Sequence, residues 1–285
     1  MTLNTVADWN AWEKQFPEKF TSEEEIFRLV HPGARIFIGT ACAEPCALTR
    51  ALMAFAEAHP TAFFDVELVQ FWSQGPVHYA RERLRDIFRL NSLFIGESTR
   101  ALVNNASADF TPVFLSSVPD LIHRDMMPID LSLIQTSYPD KDGNMSLGIS
   151  VDIAKAAAKK SSLVVAQANS QMPYVFGDGI INIKDLDYVV VRDEPLQEYV
   201  ENVSEDIARR IGRNVARIVE DGATLQVGYG SIPDATLSQL KDKKHLGLHS
   251  ELFSDGAALL MKQGILDNSK KSIDPGVSVA SFCMG

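Results

Sequence analysis

Two stretches late in the chain carry residue types that can do chemistry. In "GYGSIPDA" (228–235), Gly228 and Gly230 could let a ligand approach bare backbone, and a helix opening there would turn unpaired N–H groups toward an anion. The plain alternative is a tight strand-to-helix turn with Pro233 in the first helical turn. In "GLHSELFSDG" (247–256), His249, Ser250 and Glu251 follow a short apolar run, just before a turn of Ser254, Asp255 and Gly256. A carboxylate there could serve as base, ribose ligand or nucleophile. The plain alternative is a solvated loop, or a capping network with Asp255 as N-cap of the next helix.

Together the two stretches invite comparison with the dinucleotide fingerprint, G-x-G-x-x-G followed by an acid about 20 residues on. Glu251 stands 23 residues after Gly228, but Pro233 occupies the place of the third glycine. That glycine permits close packing of helix on strand, so the nucleotide reading is weakened. "KDKKH" (241–245) reads as the end of a helix, where cations suit the macrodipole. His31, His59, His78 and His123 are scattered without a ligand pattern, so no metal is assigned. Cys42 and Cys46 stand four residues apart at a helix start, a spacing that suits small packed side chains. No G-x-S-x-G elbow is present, which argues against a serine hydrolase.

The elements that must position these residues alternate along the chain. Strands are expected at 34–40, 66–72, 92–96, 110–114, 130–137 and 163–169. Helices are expected between them at 44–59, 78–90, about 117–126 and 151–162. "YPDKDGN" (138–144) is turn chemistry, with Gly143 and Asn144 suited to positive φ. A long helix near 199–220 should stop at Gly222. The alternation then resumes, with strands at 224–230, 246–251 and 277–285 and helices at 232–244 and 255–264. The pattern implies an α/β protein with two open, mostly parallel sheets. We divide it into 1–190 and 191–285, the second domain carrying the Gly-rich loop and Glu251. In such sheets ligands bind outside the carboxyl ends of the strands, where both the loop and Glu251 would lie. No helix follows the last strand, so the second domain is expected to be incomplete.

Composition bounds the partners. The chain has 285 residues, 46% hydrophobic and 22% charged, as expected of a soluble globular protein. Its formal charge of −10 disfavours nucleic acid and anionic membranes while leaving room for a basic pocket for a small anion. Three cysteines with no C-x-x-C pair fit a reducing cytoplasm. The N-terminal stretch lacks the order of a signal peptide, and no apolar run nears the roughly 18 residues of a membrane span.

"LQVGYGSIPDATLSQLKDKKHLGLHSELFSDG" (225–256) closely resembles the acetyl-CoA hydrolase and CoA-transferase family, above all its 4-hydroxybutyrate CoA-transferases. "GTACAEPCALTRAL" (39–52), "FTPVFLSSVPDLI" (110–122), "NMSLGISVD" (144–152), "MPYVFGDG" (172–179) and "NSKKSIDPGVSVASFCMG" (268–285) resemble the same family. The resemblance implies that Glu251 is the catalytic glutamate and that Gly228, Tyr229, Gly230, Ser231 and Ile232 form the CoA-contacting loop. It implies no permanently bound cofactor, coenzyme A or acyl-CoA and a short-chain carboxylic acid as substrates, and a homo-oligomer, a dimer. Family members continue past the position of Gly285 into a segment with further CoA contacts. Three readings are open: a CoA-transferase working through a glutamyl-CoA thioester, an acyl-CoA hydrolase, and a truncated acyl-CoA-binding or dimerisation module. His249 and Ser250 are expected to orient the loop.

Overall fold

Apolar runs alternating with helical patterns require parallel strands joined by crossovers, and the computed structural model of the chain is built that way. It describes residues 9–73, 84, 86–199 and 206–285. The chain divides into two compact units, Met1–Gln197 and Glu198–Gly285, each with its own sheet.

The first unit runs α1 (Trp9–Gln15), α2 (Glu23–Phe27), β1 (Arg35–Ile38), α3 (Cys46–Ala58), β2 (Val66–Gln70), β3 (Phe88–Ser92), α4 (Glu97–Asn104), β4 (Asp109–Phe110), α5 (Val118–His123), β5 (Leu131–Thr136), β6 (Asn144–Ser146), α6 (Ala154–Lys160), β7 (Leu163–Ala168), β8 (Ile180–Asn182) and β9 (Tyr188–Val191). Seven strands pair in the order β4-β3-β2-β1-β5-β7-β9, every pair parallel. β6 and β8 form a separate antiparallel pair. From β1 the sheet grows outward through β2, β3 and β4 on one side. β5, β7 and β9 extend it on the other side, so the chain switches direction between β1 and β5.

Every residue of β2 and β5 is buried, as expected of parallel strands covered on both faces. The core joins Ile36, Ile38, Leu68, Leu133 and Val165 of the sheet to Leu48, Leu52 and Ala56 of α3. The i, i+4, i+8 spacing of those three residues puts them on one helix face. Phe63 ties the edge together, with ring centroids 5.3 Å from Phe55 and 5.8 Å from Phe88.

The second unit runs α7 (Asp206–Ile218), β10 (Thr224–Leu225), α8 (Ser231–Leu237), β11 (Gly247–Ser254), α9 (Asp255–Lys262) and β12 (Val279–Met284). Its three strands are parallel in the order β10-β11-β12. Leu237, Leu240, Leu246, Leu248 and Leu260 form its core.

The structure departs from the sequence expectations at several points. The expected helix over 78–90 lies largely outside the described residues, but its last residues belong to β3, which begins four residues before the strand expected at 92–96. Leu84, Ile87 and Phe88 have helical spacing; pairing of Phe88–Ser92 with Val66–Gln70 overrides it. The strand expected at 110–114 stops after Phe110, because Pro112 has no N–H for the ladder. α4 has no counterpart among the expected helices. In the 138–144 turn Gly143 takes φ +81°, whereas Asn144 is already in β6. α7 ends at Ile218, before the expected end at 220, residues 200–205 of the expected helix lie outside the described residues, and Gly222 takes φ +78° beyond its end.

α8 ends at Leu237, so "KDKKH" lies past it in turns instead of closing the helix expected to 244. Lys243 does serve a helix terminus, but another one: its Nζ donates to the Val219 carbonyl at 2.5 Å, just beyond the last residue of α7. Ser254, not Asp255, is the N-cap of α9, and Asp255 is its first residue.

α7 and α8 pack closely at Gly212. A Cβ there would stand 2.8 Å from the carbonyl carbon and oxygen of Ala235 and 2.9 Å from the Thr236 nitrogen, all backbone that cannot swing aside. Alanine is the better helix former by about 1 kcal/mol at an open site, but the clash outweighs that gain. Gly212→Ala is expected to lower stability by about 2 kcal/mol, read as a lower urea midpoint by circular dichroism.

Candidate active site

In the second unit the backbone ladder between β10 and β11 ends at Leu225↔Leu248. Ser250 continues it with a side chain. Its hydroxyl accepts from the Val227 N–H at 2.9 Å and donates to the Val227 carbonyl at 2.8 Å. The parallel register is thereby carried two residues further, which places Gly228 level with Glu251. β11 is longer than the expected 246–251, so Glu251 falls inside the strand instead of at its end. Residues alternate along it: Leu248, Ser250 and Leu252 are buried, while His249 is exposed and Glu251 half-buried on the opposite face.

From the other side β11 is fixed by β12, with Ser250 against Ala280 and Leu252 against Phe282. The base of the strand is held by Lys271, a buried ammonium that donates to the carbonyls of Leu248 at 3.0 Å and Val277 at 2.6 Å.

The Gly-rich loop leaves β10 with two open glycines. Nothing lies within 4 Å of a Cβ built on Gly228 or Gly230, so neither glycine is required by crowding. Gly230 adopts φ +122°, ψ 176°, a conformation restricted to glycine, and caps α8. Ser231 begins that helix, and Pro233 sits in its first turn. Tyr229 and Ile232 remain 43% and 44% exposed, and the Tyr229 ring lies 5.1 Å from that of Tyr199. The structure thus brings Glu251 and the start of the 228–232 loop to one end of neighbouring strands. Of the two residues expected to orient the loop, only Ser250 hydrogen-bonds to Val227.

The first unit holds a second polar cluster, at the carboxyl ends of its central strands, that sequence reasoning missed. The loop Gly39–Pro45 leaves β1 at the switch point, bonded through Gly39 N–H to Leu133 O at 2.8 Å and through Ala41 N–H to Trp72 O at 2.8 Å. Ala41 takes φ +51°, unusual for a residue with a Cβ. The loop is anchored from below: Thr40 Oγ1 meets Ser150 Oγ at 3.0 Å and donates to Asp152, which also accepts from Ser150 Oγ at 2.9 Å and from the N–H groups of Ile153 and Ala154. Burial raises the Asp152 carboxyl above its ordinary range, against the pull of those donors.

At the tip of the loop Glu44 is buried. Its Oε2 accepts from Gln70 Nε2 and Ser73 Oγ, both at 3.0 Å, and its carbonyl accepts from Gln135 Nε2 at 3.0 Å. Burial outweighs the two hydrogen bonds and pushes its carboxyl up to about 7. The signal was present as a lone acid within the small-residue run "GTACAEPCAL". Cys46 follows at the start of α3, its Sγ 2.6 Å from Gln197 Nε2. Burial first, then the neighbouring acids, push its thiol up to about 12. Among the described residues no group of three or more His, Cys, Asp and Glu could hold a metal ion, and no helix is long and apolar enough to cross a membrane.

Glu44 makes stability depend on pH with a definite sign. An acid whose folded value stands near 7, against 4.5 unfolded, contributes stability that is fully present below 4.5 and lost as pH rises through 7. Glu44→Gln should therefore flatten the stability curve between those limits by on the order of 3 kcal/mol, checked by urea titration of both proteins at acid and alkaline pH.

Residues 4–201 match the family model described as the acetyl-CoA hydrolase/transferase N-terminal domain. The chain is 40% identical over 274 residues to 4-hydroxybutyrate coenzyme A transferase of Clostridium kluyveri, covering 96% of this chain and 63% of that protein. It is 37% identical over 272 residues to the succinyl-CoA:acetate/propanoyl-CoA:succinate CoA transferase of Fasciola hepatica, covering 95% and 56%. The chain thus spans about three fifths of the length of these relatives. Among solved structures, RipA from Yersinia pestis superposes with a TM-score of 0.89 at 28% identity, covering 96% of this chain and 65% of that one. The all-parallel sheet of the first unit and the 4–201 match agree with the resemblance carried by the 39–52 and 225–256 segments: the chain belongs to the acetyl-CoA hydrolase/transferase family.

Proposed function

We propose that the chain forms the glutamate-bearing part of an acyl-CoA:carboxylate CoA-transferase, with Glu251 as the covalent catalyst and residues 228–232 as the segment that positions coenzyme A. One observation carries the reading: the parallel register, extended by Ser250, sets Gly228 beside Glu251. A carboxylate in reach of a ligand lying along bare backbone is the arrangement covalent acyl transfer needs. The relatives named as CoA transferases favour this reading over hydrolysis. The acid exchanged is of the short-chain class that those names describe.

Atoms and electrons balance at each step. A carboxylate oxygen of Glu251 attacks the thioester carbonyl; the C–S bond breaks and CoA thiolate leaves, giving a mixed anhydride. The thiolate then attacks the glutamyl carbonyl; the anhydride C–O bond breaks, the first acid departs as its carboxylate, and Glu251 is left as a CoA thioester. An acceptor carboxylate runs the sequence in reverse, so no net proton or electron is consumed. A carboxylate is a weak nucleophile toward a thioester, and binding energy from the remote part of CoA must lower the barrier. Gly230 in its glycine-only conformation and the exposed Tyr229 and Ile232 are the surfaces offered to that remote part. We further place the enzyme in the cytoplasm as a homodimer, to be checked by sedimentation.

Intact-protein mass spectrometry after mixing with acetyl-CoA tests the reading, on this chain and on one extended to the length of its relatives. A CoA adduct mapping to Glu251 is expected, absent in Glu251→Gln; turnover undiminished in that variant would refute it. Ser250→Ala removes both bonds to Val227. It should raise KM for acyl-CoA by roughly 10-fold or more while the KM for the acceptor acid holds. A rise no larger than a few-fold would show that the loop is placed by other means.

A further inference from the structure

The register that sets Gly228 beside Glu251 also fixes the neighbour on the other side. β12 pairs with β11 at Ser250↔Ala280 and again at Leu252↔Phe282, an unchanged offset, so Ser281 stands level with Glu251. Level residues of a parallel pair share a face. Burial agrees along both strands: Ser250, Leu252, Phe282 and Met284 are buried, whereas Glu251, Ser281 and Cys283 are half-buried. The helices lie on the buried face, where Ala216 of α7, Leu237 of α8 and Leu260 of α9 pack with Leu248. Both crossovers advance in one direction, from β10 through β11 to β12, and right-handed crossovers of that kind keep their helices on one side. Glu251 and Ser281 therefore look away from the helical layer together.

The row across the sheet is thus Gly228, Glu251 and Ser281, all within the second unit. Its two flanks differ in kind. On the Gly228 side nothing lies within 4 Å of a Cβ built on the glycine, so a ligand can lie against bare backbone. On the other side stands a hydroxyl. Neighbouring strands are about 4.8 Å apart, which puts a serine Oγ on one in reach of a glutamate carboxyl on the next. Ser250 spends its hydroxyl on Val227. Ser281 does not: among the described residues neither it nor Glu251 enters a side-chain hydrogen bond or an ion pair.

The proposed chemistry needs a donor at this place. When CoA thiolate adds to the glutamyl carbonyl of the anhydride, a C–S bond forms and the C=O π pair moves onto the glutamyl oxygen. Collapse restores the C=O bond and expels the first acid as its carboxylate. An acceptor carboxylate attacking the glutamyl thioester passes through an oxyanion on the same oxygen, with CoA thiolate as the leaving group. The charge develops on Glu251 itself, so the donor that meets it must come from beside Glu251 and not from groups that grip the substrate. A fixed donor aimed at developing charge is among the largest contributions a site can make.

We infer that Ser281 is a further catalytic residue: its hydroxyl, level with Glu251 on β12, donates to the oxyanion that forms on the glutamyl carbonyl. The inference rests on the transferase reading of Glu251. The hydroxyl keeps its proton throughout, so the balance of atoms and electrons in each step is unchanged. Hydrogen bonds of this kind tighten as the charge forms.

The test times formation of the Glu251–CoA thioester, by rapid quench and intact-protein mass spectrometry after mixing the length-extended protein with acetyl-CoA. Ser281→Ala should slow it roughly 100-fold, with kcat falling in step and KM for both substrates changing far less. Ser281→Thr keeps a hydroxyl and suits a strand, and should recover most of the rate. Ser281→Cys keeps the shape but offers only a weak donor, and should stay slow. A packing role predicts the opposite order for those two variants. Circular dichroism establishes that each variant is folded. An adduct that forms at the wild-type rate in folded Ser281→Ala overturns the assignment, as does a cysteine variant as fast as wild type. In either case the wild-type adduct leaves the transferase reading standing. If the wild type itself forms no adduct at Glu251, that reading falls and the assignment falls with it.

Discussion

One hydroxyl group carries the register on which the second unit's candidate site depends. Backbone pairing between β10 and β11 covers two residues, Thr224 and Leu225, too short a ladder to fix the backbone beyond it. Ser250 replaces the missing rungs by bonding both polar groups of Val227. Because side chains alternate along a strand, burying Ser250 beside Val227 turns Glu251 to the other face. The same rule places Gly228 opposite Glu251. Core leucines on either side of Ser250 hold the strand against a slip, since a one-residue shift would bury the carboxylate and expose Leu248 and Leu252.

The first unit solves a different problem. Parallel strands that are buried on both faces still end in polar groups at their carboxyl edges, and the side chains that emerge there must find partners. Gln70, Gln135 and Gln167 all stand at or near the ends of buried strands and all hydrogen-bond the segments that open or flank α3. Gln167 is shared with Glu194, which also pairs with Arg50 at 2.5 Å. Such a network rigidifies only when each member is satisfied. Glu44 Oε1 takes no hydrogen bond from the described residues.

How much of the protein is legible in its sequence differs by kind of signal. The parallel α/β class, α3, β2, β5 and β7 are readable because long apolar or amphipathic runs have few alternatives. β3 is not, since its apolar residues have helical spacing and only pairing with β2 decides the matter. The short reach of β10 is also hidden: "TLQVGYG" reads as a strand to its end, and nothing local says that a serine 23 residues after Val227 takes over the hydrogen bonds. Glu251 and the 228–232 loop are legible as a motif. Glu44 is not, because a buried acid is defined by what surrounds it, and its described partners come from positions 70, 73 and 135.

The surroundings of Cys46 fix its reactivity. The thiolate is the nucleophilic form of a cysteine, so a thiol held protonated by its surroundings is inert toward electrophiles. With its thiol pushed up to about 12 and Gln197 against its sulfur, Cys46 carries almost no thiolate at neutral pH. Alkylating reagents should therefore pass Cys46 by.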